Sequence, residues 1–185
     1  MKRFLPLIGF LVLTGGAAWY GNTHHVPAKN PDPNHTHADF AVWINGKQVD
    51  FSDPNDMTSE QKEAKLPPND PRRYLHLHDG NGHVIHRHKP GLALCDFISS
   101  LNLSGEFEFS VYVNGVLMPR DKECSYVFKD GDHLLVTNSM YDQAEVNREL
   151  KLMTDDACLY SQTCPWRGKV PVENCVSDPT VPCTE

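Results

Sequence analysis

Three short segments carry imidazoles two residues apart: His35-Thr36-His37 (followed by Ala38-Asp39), His76-Leu77-His78 and His86-Arg87-His88. Imidazole suits zinc, copper and nickel. Alternate residues of an extended strand project to the same face, so each pair becomes a two-donor unit wherever its segment is a strand. The chain has ten histidines in 185 residues, and all but His133 fall between His24 and His88. That clustering is the strongest chemical signal in the composition.

Whether the second and third pairs meet depends on one turn. Asp79-Gly80-Asn81-Gly82 lies between Arg72-Arg73-Tyr74-Leu75-His76-Leu77-His78 and His83-Val84-Ile85-His86-Arg87-His88. A three-residue loop, Gly80-Asn81-Gly82, sets His76 opposite His86 and brings His76, His78, His86 and His88 to one side, whereas a two- or four-residue loop separates the pairs. Gly82 suits the bulge that accompanies three-residue loops, which favours the clustered register. His76 and His86 are then cross-strand neighbours about 5 Å apart at Cβ, and Leu75, Leu77, Ile85 and Arg87 share the opposite, partly buried side. His35, His37 and Asp39 are candidates to complete the site or to orient its ligands. The same residues also suit an ordinary polar hairpin and a frayed strand start. His83 flanks the turn, and His24, His25 and His133 are explained by linker and turn positions.

No His-Glu-x-x-His helix, Ser nucleophile elbow or Cys-x-x-Cys redox pair is present. A hydrolytic metal centre needs an open position and a general base, for which Asp39 and Asp79 are the available groups. The expected function is non-catalytic binding of copper or zinc, for capture, storage or delivery. A structural or protein-interaction module with a pH-sensitive histidine surface and a metal-dependent enzyme are the alternatives.

The elements that must position these residues can be followed along the chain. Ala38, Phe40, Val42 and Ile44 alternate with Asp39, Ala41 and Trp43. Asn45-Gly46, the strongest two-residue hairpin signal, then leads to Lys47-Gln48-Val49-Asp50-Phe51. Val42 is expected opposite Val49 and Phe40 opposite Phe51, with His35, His37 and Asp39 on the other face. Ser52 to Asp70 is polar, with a short helix expected over Thr58 to Lys65. Leu94, Phe97, Ile98 and Leu101 have the spacing of a short core-facing helix, with Asn102 as its cap. Phe107 to Val113, Val116 to Arg120 beyond Asn114-Gly115, Tyr126 to Phe128, and Leu134 to Thr137 are expected to complete a sheet. A further helix is expected from Tyr141 to Met153.

Residues 91–137 resemble the later part of the β-grasp fold of small sulfur-carrier proteins. The shared pattern is a short amphipathic helix, a strand ending in Val113-Asn114-Gly115, the pair Pro119-Arg120, and Asp130-Gly131-Asp132 before a last apolar strand. Those carriers end in Gly-Gly after that strand, whereas here Asn138-Ser139-Met140 continues into 45 further residues. The resemblance therefore implies the fold and not sulfur transfer. The longer histidine pattern also resembles a group of uncharacterised exported, His-rich prokaryotic proteins, which implies kinship alone. The fold expected is α+β: a β-grasp-like mixed sheet with one packed helix, an N-terminal export or anchor helix, and a Cys-rich C-terminal tail.

Met1-Lys2-Arg3 precedes the apolar run Phe4–Leu13 and the small residues Thr14-Gly15-Gly16-Ala17-Ala18, the layout of a secretory signal. An uncleaved membrane anchor is the alternative, since Phe4 to Tyr20 reaches the lower limit of a bilayer span. The expected organisation is a signal peptide or anchor over residues 1–20, a linker over 21–34, a His-rich domain over 35–140, and a helix with a disulfide-stapled tail over 141–185. Six cysteines suit a disulfide framework in an oxidising compartment. Cys95 with Cys124 and two bridges among Cys158, Cys164, Cys175 and Cys183 are the simplest assignment, with the tail's connectivity open. A formal charge of −7 argues against a nucleic-acid partner. The expected location is outside the cytoplasm: periplasmic, secreted or membrane-anchored at the cell surface.

Overall fold

The computed structural model describes residues 27–32, 34–55, 57, 62, 65–101, 108–139, 142–169 and 171. The export segment, His24, His25, Asn102, Phe107, most of the helix expected over Thr58 to Lys65, Cys175 and Cys183 lie outside the described residues. No described helix is long and apolar enough to cross a membrane.

The fold is α+β, built on one mixed seven-stranded sheet. Its strands are β1 (Thr36–Ile44), β2 (Lys47–Gln48), β3 (Leu75–His76), β4 (Val84–Arg87), β5 (Ser110–Val113), β6 (Val116–Leu117) and β7 (Asp132–Thr137). They run in the order β3-β4-β1-β7-β5-β6, with β2 also paired to β1. β1 sits at the centre. It pairs parallel with β7 from Ala38↔Asp132 to Trp43↔Thr137. Its other edge is shared by β4, along Thr36 to Asp39, and β2, at Trp43 and Ile44.

Both faces of this sheet are covered, because β1 carries apolar residues on each. Ala38, Phe40 and Val42 join Leu75, Leu77 and Ile85 beneath helix α1 (Leu94–Ile98), whose Leu94, Phe97 and Ile98 face the sheet. The Phe40 and Phe97 rings meet edge to face at 5.0 Å, and each fully buried side chain of this size contributes about 1.5–3 kcal/mol. On the opposite face, Ala41, Trp43, Tyr112 and Leu135 pack against Val146 of helix α3 (Gln143–Leu152). Val84 there packs against Ala157 and Tyr160 of helix α4 (Ala157–Tyr160). A short helix α2 (Arg120–Glu123) lies between β6 and β7. Asp142 caps α3 by accepting from the amides of Ala144 and Glu145.

The hairpin expectations hold in register. Asn45-Gly46 and Asn114-Gly115 all adopt positive φ, as two-residue hairpin turns require. Val49 N donates to Val42 O at 2.8 Å, and Phe40 and Phe51 rings lie 5.9 Å apart. In the second hairpin His76 faces His86 and Leu75 faces Arg87, the clustered register. The reason for Gly82 differs from expectation. Asp79 and Gly80 take the positive φ values, while a Cβ at Gly82 would sit 2.6 Å from the Phe51 carbonyl carbon. Gly82 thus lets the chain after β2 pass against the turn.

Tyr126 to Phe128 is not a sheet strand. Leu94 N donates to Tyr126 O at 2.8 Å, and a disulfide joins Cys95 to Cys124. Together these tie the segment to α1 and withdraw it from strand pairing. A second disulfide, Cys158–Cys164, closes the chain around α4.

Candidate metal centre

Three adjacent strands and the residues flanking them set six histidines on one face, the face covered by α4: His37, His76 and His86 lie in β1, β3 and β4, and His35, His78 and His88 just beyond their ends. His86 lies at the middle of a row, opposite His76 of β3 and opposite His37 of β1. One step along, His35 and His88 approach with ring centroids 4.0 Å apart. His78 lies against His86 with ring centroids 3.8 Å apart and the planes tilted by 39°. Donor atoms converge in two sets, His35 with His37 and His86, and His76 with His78 and His88, each set lying within 4.8 Å. The four histidines of the second hairpin and the pair His35 and His37 are therefore brought together as one cluster.

The cluster is interior rather than a solvated face. His86 is fully buried, and His37, His76 and His88 are each exposed by 5% or less. Burial, reinforced by the neighbouring imidazoles His35, His76, His86 and His78, holds His88 well below the usual histidine pKa. Its ring is therefore neutral, as a metal-binding imidazole must be.

Hydrogen bonds orient three of the rings. Nδ1 of His76 meets the Arg72 carbonyl oxygen at 2.9 Å, and Nδ1 of His78 meets the Asp79 carboxylate. Both partners only accept, so Nδ1 of each ring donates. For His37 the logic takes one more step. Ser161 Oγ donates its single proton to Asp130 Oδ1 at 2.5 Å. Towards His37 Nδ1, 2.8 Å away, it can then only accept. His37 is therefore also protonated on Nδ1. A carboxylate or carbonyl behind a histidine's far nitrogen is the usual arrangement that fixes the tautomer of a metal ligand.

Helix α4 supplies the roof. The Tyr160 ring lies 4.8 Å from His86 and 5.6 Å from His37. Its hydroxyl accepts from Asn81 Nδ2 at 3.1 Å, which ties the roof to the hairpin turn. Ser161 and Tyr160 carry no signal in the sequence, and Asp130 and Asn81 stand out there only as turn residues, not as parts of the site. Their roles arise from tertiary placement, and only the acidity of Asp130 in its turn was a local cue.

Asp39 occupies a different place from the two histidine sets. It is fully buried and accepts from Thr154 Oγ1 at 2.7 Å, Asp156 N at 2.7 Å and Ala157 N at 3.1 Å. It thereby docks the segment leading into α4 onto β1. Burial raises its pKa, against the lowering pull of those three donors and of His133. His133, on the neighbouring β7, lies 4.0 Å from Asp39 and 3.7 Å from Asp155. These three residues form a third group with donor atoms in mutual reach, although Arg167 already pairs with Asp155 at 2.9 Å. His83 is half-buried beyond the cluster.

Chemically, the six-histidine cluster offers neutral nitrogen donors in two sets of three, a donor type that copper and zinc accept. Compared with protein-family models, curated proteins and solved structures, the chain matches none.

Proposed function

We propose that this is an extracytoplasmic protein that binds copper or zinc through His35, His37, His76, His78, His86 and His88, for capture, storage or delivery rather than catalysis. The observation that carries the proposal is the convergence of six imidazoles from three adjacent strands and their flanking residues in a largely buried site. Each set brings three imidazole nitrogens within mutual reach, and imidazole nitrogen is a donor type that copper and zinc accept. The burial of His37 and His86 also argues against a solvated histidine surface as the purpose of the cluster.

The scaffold we propose is β-grasp-like. Its support is a pair of hairpins, β1–β2 and β5–β6, joined through parallel β1–β7 and antiparallel β5–β7 pairing, with α1 on one face. The β3–β4 hairpin, which carries four of the histidines, is an addition alongside β1. An oxidising location is supported by the two disulfides among the described residues, since such bonds persist mainly outside the cytoplasm. The N-terminal segment would either direct export or hold the protein at the membrane.

The test is the metal content of the full chain, purified without a His-tag or a nickel column and measured by mass spectrometry. Copper or zinc is expected in stoichiometric amount. The double variant His76→Gln/His86→Gln should lose part or all of it while keeping its circular dichroism. A folded double variant with undiminished metal content would refute the site.

A further inference from the structure

We infer that the cluster is a dinuclear copper(I) centre, in which His35, His37 and His86 hold one ion and His76, His78 and His88 hold the other. The inference rests on the metal-binding reading above and adds the number and oxidation state of the ions.

The number follows from the grouping of donors. Within each set the ligating nitrogens lie within 4.8 Å of one another, near enough for small ring rotations to bring them onto one ion about 2.0 Å from each. The sets are interlocked, since His35 abuts His88 at 4.0 Å and His78 abuts His86 at 3.8 Å between ring centroids. His86, between His37 on β1 and His76 on β3, is the hinge of the arrangement. One ion at either set leaves three convergent imidazoles at the other.

The oxidation state follows from charge. Imidazole brings no charge to the metal it binds, and two neighbouring ions must sit in a largely buried space. Repulsion scales with the product of charges, so two divalent ions repel each other fourfold more strongly than two monovalent ions at the same spacing. The carboxylates behind the ligands are few. Asp79 backs His78, and Asp130 backs His37 through Ser161. Asp130 also faces the buried guanidinium of Arg87, which it and Asp132 stabilise. These groups can offset about two positive charges and not four. Three neutral nitrogens also complete the shell of copper(I), whereas zinc(II) and copper(II) require at least one further ligand beneath the Tyr160 roof.

The experiment titrates the metal-free full chain anaerobically with copper(I) presented as its bicinchoninate complex, with zinc(II) titrated in parallel. Two copper(I) ions per chain are expected, held at least 100-fold more tightly than zinc. His35→Gln and His78→Gln, each at a less buried position of a different set, should each retain one tight copper. X-ray absorption of the copper-loaded wild type, which needs no variant, should show three nitrogen neighbours per copper and a copper–copper scattering component. A single copper per chain with no such component overturns the dinuclear assignment and leaves metal binding intact. Two zinc ions bound as tightly as copper(I) overturn the monovalent assignment. Binding of neither metal overturns this inference together with the function on which it rests.

Discussion

Replacing Asp39 by Asn is the most informative perturbation of the roof over the cluster, because it changes charge and proton inventory while preserving shape. In the wild type Oδ1 accepts from Thr154 Oγ1 and Asp156 N, and Oδ2 accepts from Ala157 N. Hydrogen bonds to a charged group are worth about 1.5–3 kcal/mol each, and neutral ones about 0.5–1.5. With the amide oxygen in the Oδ1 position, two bonds weaken by about 1 kcal/mol each. The amide nitrogen then faces the Ala157 amide, so that bond is lost at a cost of about 2 kcal/mol. Burial of the carboxylate, which raises its pKa, returns about 1 kcal/mol when the charge is removed. The net expectation is about 3 kcal/mol against docking of the α4 segment, or roughly a 100-fold rise in its open population. Amide hydrogen exchange at Asp156 and Ala157 should accelerate by that factor, with much less change at Val136 in the central sheet. If both amides keep wild-type protection, Asp39 does not dock the roof and the placement of Ser161 needs another cause.

The Ser161→Ala variant should weaken metal binding at His35, His37 and His86 by about 10–100-fold, leaving the other set close to wild type in a competition titration; equal weakening of both would refute the separate orientation of His37. Gly82→Ala forces a Cβ to 2.6 Å from the Phe51 carbonyl carbon, so a loss of about 1–3 kcal/mol or more is expected in urea unfolding, and an unchanged midpoint would contradict that close approach. For metal-free protein, the depressed pKa of His88 means that the unfolded chain takes up a proton below about pH 6.5 while the folded ring resists it. Stability should therefore be full above that pH and fall as pH drops below it. A urea midpoint that is flat from pH 7.5 to 5.5 would show that the ring is not held neutral.

Much of the centre was legible because strand periodicity and turn chemistry are local. The H-x-H spacing placed His76 with His78 and His86 with His88, and a three-residue loop at Asn81 was enough to superimpose them. Gly82 was recognised as significant for the wrong reason. Its need for space is created by Phe51 and Ser52, thirty residues earlier in the chain, and no local pattern announces such an approach. His35 and His37 could be read as a frayed start to β1. They become interior because β1 is the central strand, flanked by β4 and β7, a fact of topology. Asp39 has the two-residue spacing of a third donor and lies on the same face as His37. The segment of Thr154 to Ala157 takes its carboxylate instead, and that segment is brought there by the C-terminal chain. Tyr126 to Phe128 has the apolar character of a strand, but its tie to α1 removed it from the sheet.

The placement of β1 between β4 and β7 gives the two triads unequal histories. His76, His78 and His88 belong to one hairpin, so that triad needs little more than a turn to assemble. The other triad waits for a strand some fifty residues upstream, whose parallel partner β7 arrives only after nearly a hundred more. Contacts that close long stretches of chain form slowly. A half-folded molecule therefore already presents one complete set of nitrogens, and the first ion to arrive would brace the hairpin against which β1 must align.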